Sequence, residues 1–249
     1  MKKIILAVFI GIVIFSVSGI VNATIPAAER AKEKSRAPEN SPMIDEDWEL
    51  EKVEFIHYVK PNNPGKPPKT NNCYKLMGVK WDIFPVNYII NPINNQGLSQ
   101  DFISSAISIS AENWDVETSK ELFSDSYEIS TSVQYGVQDY QNAIVFGDHS
   151  NSGIIAITSV WYTRVGKKIV EFDMLFNTDF AWGDAEISSY VMDLQNIATH
   201  ELGHAVGLSD IYNSVCASVT MYGYSDYEEI QKRTLEQPDI IGLQKIYGI

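Results

Sequence analysis

The sequence predicts an α+β fold on three observations. Runs rich in β-branched and aromatic residues read as strands at Trp81–Asn91, Asn142–Phe146, Ile154–Tyr162 and Ile169–Phe176. Between and after them lie three helical patterns, at 98–114, 188–206 and from Gln237 onward. Turn dipeptides, Gly147-Asp148 and Val165-Gly166, separate the strands. At 249 residues, with 45% hydrophobic and 20% charged content, the chain excludes collagen-like, coiled-coil and wholly disordered classes.

The N-terminus reads as an export signal. Lys2 and Lys3 precede an apolar run, Ile4 to Val21, broken only by Ser16, Ser18 and two glycines. Val21-Asn22-Ala23 then offers a cleavage site, so residues 1–23 form the expected signal peptide. Retention of 4–21 as a membrane anchor is the alternative, since that length sits at the lower limit for spanning. Either way the bulk of the chain is expected outside the cytoplasm, secreted or held at the cell surface.

Residues 24–72 differ in kind. They hold a charged run (Glu29, Arg30, Lys32, Glu33, Lys34, Arg36), an acidic run from Asp45 to Glu54, and then Pro61, Pro64, Pro67 and Pro68. Such composition favours an extended segment over packed structure, either a solvated linker or a pro-segment removed on activation. Residues 73–249 form the expected compact domain. Leu98-Ser99 opens its first helix, with Ser99 as N-cap and Phe102, Ile103, Ala106, Ile107, Ser110 and Trp114 as the buried stripe. Ser188–Val206 reads as a long helix stopped by Gly207. Gln237-Pro238-Asp239 starts the last helix, with proline at the tolerated first turn, and Gly248 ends it.

Lys and Arg number 19 against 32 Asp and Glu, for a net charge of −13. That balance repels phosphate backbones and anionic lipid, so no nucleic-acid partner is expected, and membrane contact only through a retained anchor.

The chemistry concentrates in His200-Glu201-Leu202-Gly203-His204-Ala205-Val206-Gly207-Leu208-Ser209-Asp210. Histidines four apart on a helix share a face and can reach one ion. Glu201, one residue past the first histidine, suits a carboxylate that handles a proton without ligating. Gly207 lets the backbone leave the helix abruptly, returning Asp210 toward the ion. Two imidazoles, a carboxylate and an open position describe a catalytic zinc site.

HELGHAVGLSD followed by SVTMYGY resembles the metzincin zinc endopeptidases, and within them the matrixins, over roughly Cys73 to Ile249. The resemblance implies a twisted mixed β-sheet with an N-terminal packing helix, a long active-site helix and a C-terminal helix. It implies His200, His204 and Asp210 as Zn2+ ligands, Glu201 as general base and acid, and Met221 as the methionine beneath the metal. Ile154, Ile155, Ala156, Ile157 and Thr158 resemble the edge strand along which an extended polypeptide substrate lies. VEFDMLFNTDFAWG, from Val170 to Gly183, resembles the next strand, and EQPDIIGLQKIYG the closing helix. A monomeric peptide hydrolase is the expected product of these parts.

Two positions depart from the matrixin pattern. Asp210 stands where matrixins have histidine, and Tyr222-Gly223-Tyr224 follows Met221 in place of Tyr-Pro. Cys73 and Cys216 invite a disulfide in an oxidising compartment. The resemblance offers the alternative that Cys73 caps the zinc as an inhibitory thiolate, although NNCYKLM surrounds it instead of the family's motif. Asp173, Asn177 and Asp179 are candidates for a Ca2+ site, against a reading as solvated acidic loops. His57 and His149 read as surface residues.

Overall fold

The computed structural model describes residues 49–61 and 72–249. The expected export signal, and the first part of the charged segment with it, lie outside the described residues.

The described chain builds a seven-stranded mixed sheet with helices packed against it. The strands are β1 (Leu50–Val59), β2 (Ile89–Ile90), β3 (Glu128–Ile129), β4 (Ala143–Gly147), β5 (Ile154–Thr163), β6 (Ile169–Asn177) and β9 (Tyr224–Ser225). Their order across the sheet is β3-β2-β4-β6-β5-β1-β9. β5 runs antiparallel to both of its neighbours, β6 and β1, and the remaining pairings are parallel. A separate two-stranded pair joins β7 (Trp182–Gly183) to β8 (Met192–Asp193).

Three helices cover the sheet: α1 (Gln100–Asp115), α2 (Leu194–Ala205) and α3 (Gln237–Tyr247). α1 begins where expected, with Ser99 Oγ accepting from the Phe102 N–H at 3.2 Å. The stripe from Ile103 to Trp114 is buried, while Phe102 stays partly exposed at its rim. Trp114 donates its indole N–H to Thr199 O at 2.9 Å, tying α1 to α2. The main core joins both helices to the sheet through Ile103, Ile107, Phe172, Phe176 and Leu202, each fully buried.

Three expected elements differ. Only Ile89–Ile90 of the 81–91 run is a strand. Pro85 brings no N–H to a ladder, and Trp81 turns away to donate its indole N–H to Ala205 O at 2.8 Å. α2 starts at Leu194 instead of Ser188, because Asp193 caps it by accepting from the Asn196 N–H at 2.8 Å. The same carboxylate takes the Arg233 Nε–H at 2.8 Å, so a tertiary ion pair fixes the helix start. Gly207 does end the helical run, at φ +94°, and a Cβ there would lie 2.5 Å from Val79 O.

The third difference is the largest. Leu50–Val59 is not a solvated spacer but an interior strand, paired with β5 along nine residues, from Leu50 opposite Thr163 to Tyr58 opposite Ile154. Its acidic side chains face outward to cations, with Glu51 accepting from Arg164 Nε at 3.1 Å and from Lys167 Nζ at 2.9 Å. Val53 and Phe55 pack on the main core. The expectation that Ile154–Thr158 forms a free edge is therefore corrected: β1 covers that edge.

Cys73 and Cys216 are joined in a disulfide, which excludes the Cys73 thiolate as a cap on a metal in this form. The bond closes a loop of 143 residues, worth about 4–5 kcal/mol on the loop-entropy account. Reduction is expected to lower the chemical denaturation midpoint clearly, and an unchanged midpoint would show that the bridge constrains little.

Candidate metal centre and peptide groove

α2 brings His200, Glu201 and His204 to one place, all of them buried. The ring orientations follow from backbone carbonyls. His200 Nδ1 lies 2.7 Å from Thr220 O, and His204 Nδ1 lies 2.9 Å from Leu208 O. A carbonyl oxygen only accepts, so each Nδ1 carries the proton and each Nε2 keeps a lone pair. Those two Nε2 atoms converge on Asp210 Oδ1, at 3.2 Å and 3.5 Å. All three atoms are buried and none has a hydrogen-bond partner. Three acceptors meeting without a donor is an arrangement that a divalent cation satisfies. Two imidazoles with a carboxylate suit zinc.

The turn after Gly207 delivers Asp210 as expected, and Tyr212 steadies it by donating to Oδ2 at 3.1 Å. Gly223 is required beside it, since a Cβ there would meet the Tyr212 ring at 2.4 Å and Asp210 Oδ1 at 2.9 Å. Met221 is buried under α2, its sulfur filling the space beside Gly203. The methionine turn is held by α3: Asp239 accepts the backbone N–H groups of Thr220 at 2.8 Å and Met221 at 3.1 Å.

Two carboxylates sit in this pocket with opposite tendencies. Burial alone would raise Asp210, but the charge of a protonated His204, which the carboxylate itself favours, and Nε2–H groups of the two rings hold its carboxyl well below the usual range, a part that a bound cation would take over. Burial pushes Glu201 up to about 7. One carboxylate stays ionised and the other can exchange a proton near neutrality, the separation that acid–base pairs use. Thr158 Oγ1 donates to Glu201 Oε2 at 2.5 Å, while Oε1 has no hydrogen-bond partner. Thr158 therefore serves the glutamate and is covered by β1, in place of lining an open edge.

β1 passes directly over this pocket. Its Phe55 ring stacks on His204 with centroids 4.0 Å apart. Its His57 is fully buried, correcting the expectation of a surface histidine. The ring meets His200 edge-on at 4.0 Å, and Nδ1 lies 3.5 Å from Glu201 Oε1. On the far side, His57 Nε2 lies 3.0 Å from Ser225 Oγ and 3.3 Å from Lys232 Nζ. Lys232 is itself fully buried, and burial pushes its ammonium down to about 7. Phe55, His57, Lys232, Tyr212 and Asp239 were not expected at the site from sequence, because each enters it through a tertiary contact.

The calcium candidates do not converge. Asp173 accepts from the Gly136 N–H at 2.7 Å and the Ala143 N–H at 3.1 Å. Asn177 instead serves another loop, accepting from the His149 N–H at 3.3 Å and donating to Ile154 O at 2.7 Å. Asp179 is exposed. Among the described residues, the groups with metal-ligand spacing are His200-His204-Asp210 and His57-His200-Glu201.

A family model described as matrixin matches residues 80–248. Rat matrilysin is 40% identical over 76 residues, which is 30% of this chain and 27% of that protein. Human matrix metalloproteinase-16 is 26% identical over 211 residues, 78% of this chain and 33% of that protein. The metalloendoproteinase 4-MMP of Arabidopsis thaliana is 27% identical over 119 residues, 46% of this chain and 33% of that protein. The chain thus spans about a quarter to a third of the length of these relatives.

Proposed function

The chain belongs to the matrixin family, and we propose that it is a secreted zinc-dependent endopeptidase with His200, His204 and Asp210 as ligands and Glu201 as general base. The observation that carries this reading is the convergence of three partnerless acceptor atoms beside the partnerless Glu201 Oε1. Zinc bound there would supply Lewis-acid polarisation of a peptide carbonyl and of water. Glu201 would take the proton of the attacking water and pass it to the leaving amine, a role its raised carboxyl fits. Thr158 holds one oxygen of that carboxylate, leaving the other free to move the proton. The Nδ1 contacts with Thr220 O and Leu208 O fix which ring nitrogens face the ion.

Export is part of the proposal. The Cys73–Cys216 bridge fits an oxidising compartment. Among the described residues no helix is long and apolar enough to cross a membrane.

With β1 seated, the pocket is closed to a second polypeptide. Hydrolysis in this reading requires β1 to leave β5, so the described form is a latent one. The test is digestion of a mixed peptide library by the zinc-loaded full chain, before and after limited cutting by an unrelated protease between Lys60 and Cys73. Cuts that grow after that treatment and vanish with a chelator are the expected result. Stoichiometric zinc without any cut in either form would replace the peptidase with a zinc-bearing binding protein.

A further inference from the structure

β1 is held as a bound peptide is held by strand addition. It runs antiparallel to β5 on one side, and on the other pairs in parallel with β9, Tyr58 opposite Tyr224 and Val59 opposite Ser225. Main-chain bonds continue past its end, from Val59 N–H to Gly153 O at 3.0 Å and from Lys60 N–H to Ser225 O at 2.9 Å. Within that clamp, the His57 side chain enters a buried pocket beside His200 and Glu201 and reaches Lys232 at its far wall.

The far wall has an uncommon chemistry for a buried pocket. Lys232 Nζ contacts Tyr222 O at 2.6 Å, Tyr224 O at 2.8 Å, Ser225 Oγ at 2.7 Å and His57 Nε2 at 3.3 Å. Lysine offers at most three N–H donors, and the three nearest acceptors, Tyr222 O, Ser225 Oγ and Tyr224 O, match them. Ser225 Oγ, accepting from Lys232, turns its own proton to His57 Nε2 at 3.0 Å, so the ring proton sits on Nδ1 facing Glu201 Oε1. The occupant of this pocket is thus chosen by its tip: an acceptor takes the Ser225 hydroxyl proton that Lys232 aims at it, whereas a hydrocarbon tip would leave that buried hydroxyl proton unpaired.

We propose that the Ser225 hydroxyl, oriented by Lys232, makes this pocket selective for substrate side chains that end in a hydrogen-bond acceptor, namely glutamine, glutamate or histidine, at a position adjoining the cut bond, and that His57 is the built-in occupant of that pocket. This rests on the peptidase reading for its substrate, but the pocket's preference can be read without catalysis. His57 is isolated from solvent, so its replacement reports the pocket directly.

The experiment has two arms on the full chain. In the first, thermal midpoints of His57→Gln and His57→Leu are compared with chelator present, in the wild-type background and with Ser225→Ala and Lys232→Met combined. In the wild-type background His57→Leu is expected to melt about 3–6 °C below His57→Gln. With both polar groups removed the order is expected to invert, and should that variant fail to fold, the wild-type pair decides alone. In the second arm, the zinc-loaded chain opened by limited proteolysis digests the peptide library. Acceptor-tipped residues are expected at one position beside the cut at least tenfold over leucine. Equal midpoints, or a higher midpoint for His57→Leu, overturn the pocket assignment. Leucine preferred at both positions flanking the cut overturns the substrate preference while leaving the peptidase reading intact. The expected midpoint order with no cleavage at all retains the pocket and removes the peptidase reading.

Discussion

Glu201→Gln is expected to lower peptide hydrolysis by about 10²–10⁴-fold in the opened, zinc-loaded chain. The amide keeps the shape of the carboxylate and can still accept from Thr158 Oγ1, so the neighbouring packing is preserved. It cannot take a proton from water. Removing a buried carboxylate that burial already drives toward its neutral form carries little stability cost, so the melting temperature should stay level or rise. Zinc stoichiometry should also hold, because the three converging atoms belong to His200, His204 and Asp210. Measured turnover within tenfold of wild type would mean that another group moves the proton. Loss of zinc together with activity would place Glu201 among the ligands.

The second large effect is expected from loosening β1. Val53→Pro combined with Ile56→Pro removes two N–H groups and forces kinks into a strand that lies between β5 and β9. The fraction of chains with an open pocket rises about tenfold for each 1.4 kcal/mol of lost seating, until the open form predominates. Turnover of a peptide substrate should therefore increase at least tenfold over the intact, uncut chain, even as the melting temperature falls. A strand of purely structural importance predicts the reverse, a decline in activity that tracks the folded fraction. The two outcomes differ in sign.

Both effects bear on the same geometry. Phe55 covers His204 and His57 fills the space between Glu201 and Lys232 against His200, so β1 contacts the candidate base and two candidate ligands at once. A segment that only completed the sheet would have no need to place a buried histidine against the glutamate. The acidic side chains on its outer face, Glu51 with Arg164 and Lys167, hold it through exposed pairs that salt weakens.

What the sequence determined alone is the local chemistry. His200, Glu201 and His204 are one helical turn, and their spacing dictates a shared face whatever surrounds them. Gly207 was legible because a sharp exit from a helix calls for a residue that tolerates positive φ. The α1 stripe and its Ser99 cap were legible for the same reason: neighbours a few residues apart decide them. Two cysteines in a chain expected to be exported made the bridge the default.

Tertiary structure decided the rest, because the deciding partners are far apart in sequence. The run Val53-Glu54-Phe55-Ile56-His57-Tyr58-Val59 carries strand-forming residues, but the acidic stretch before it and the prolines after it read as solvated chain. Only the antiparallel pairing with β5, about a hundred residues away, turns it into an interior strand. That pairing buries His57, closes the expected substrate edge and sets Lys232 at the end of a pocket. The start of α2 at Leu194 was likewise set by Arg233 reaching back to Asp193. Periodicity reports which face of an element is buried; which element covers it is fixed by long-range packing, and here that choice separates an open groove from a closed one.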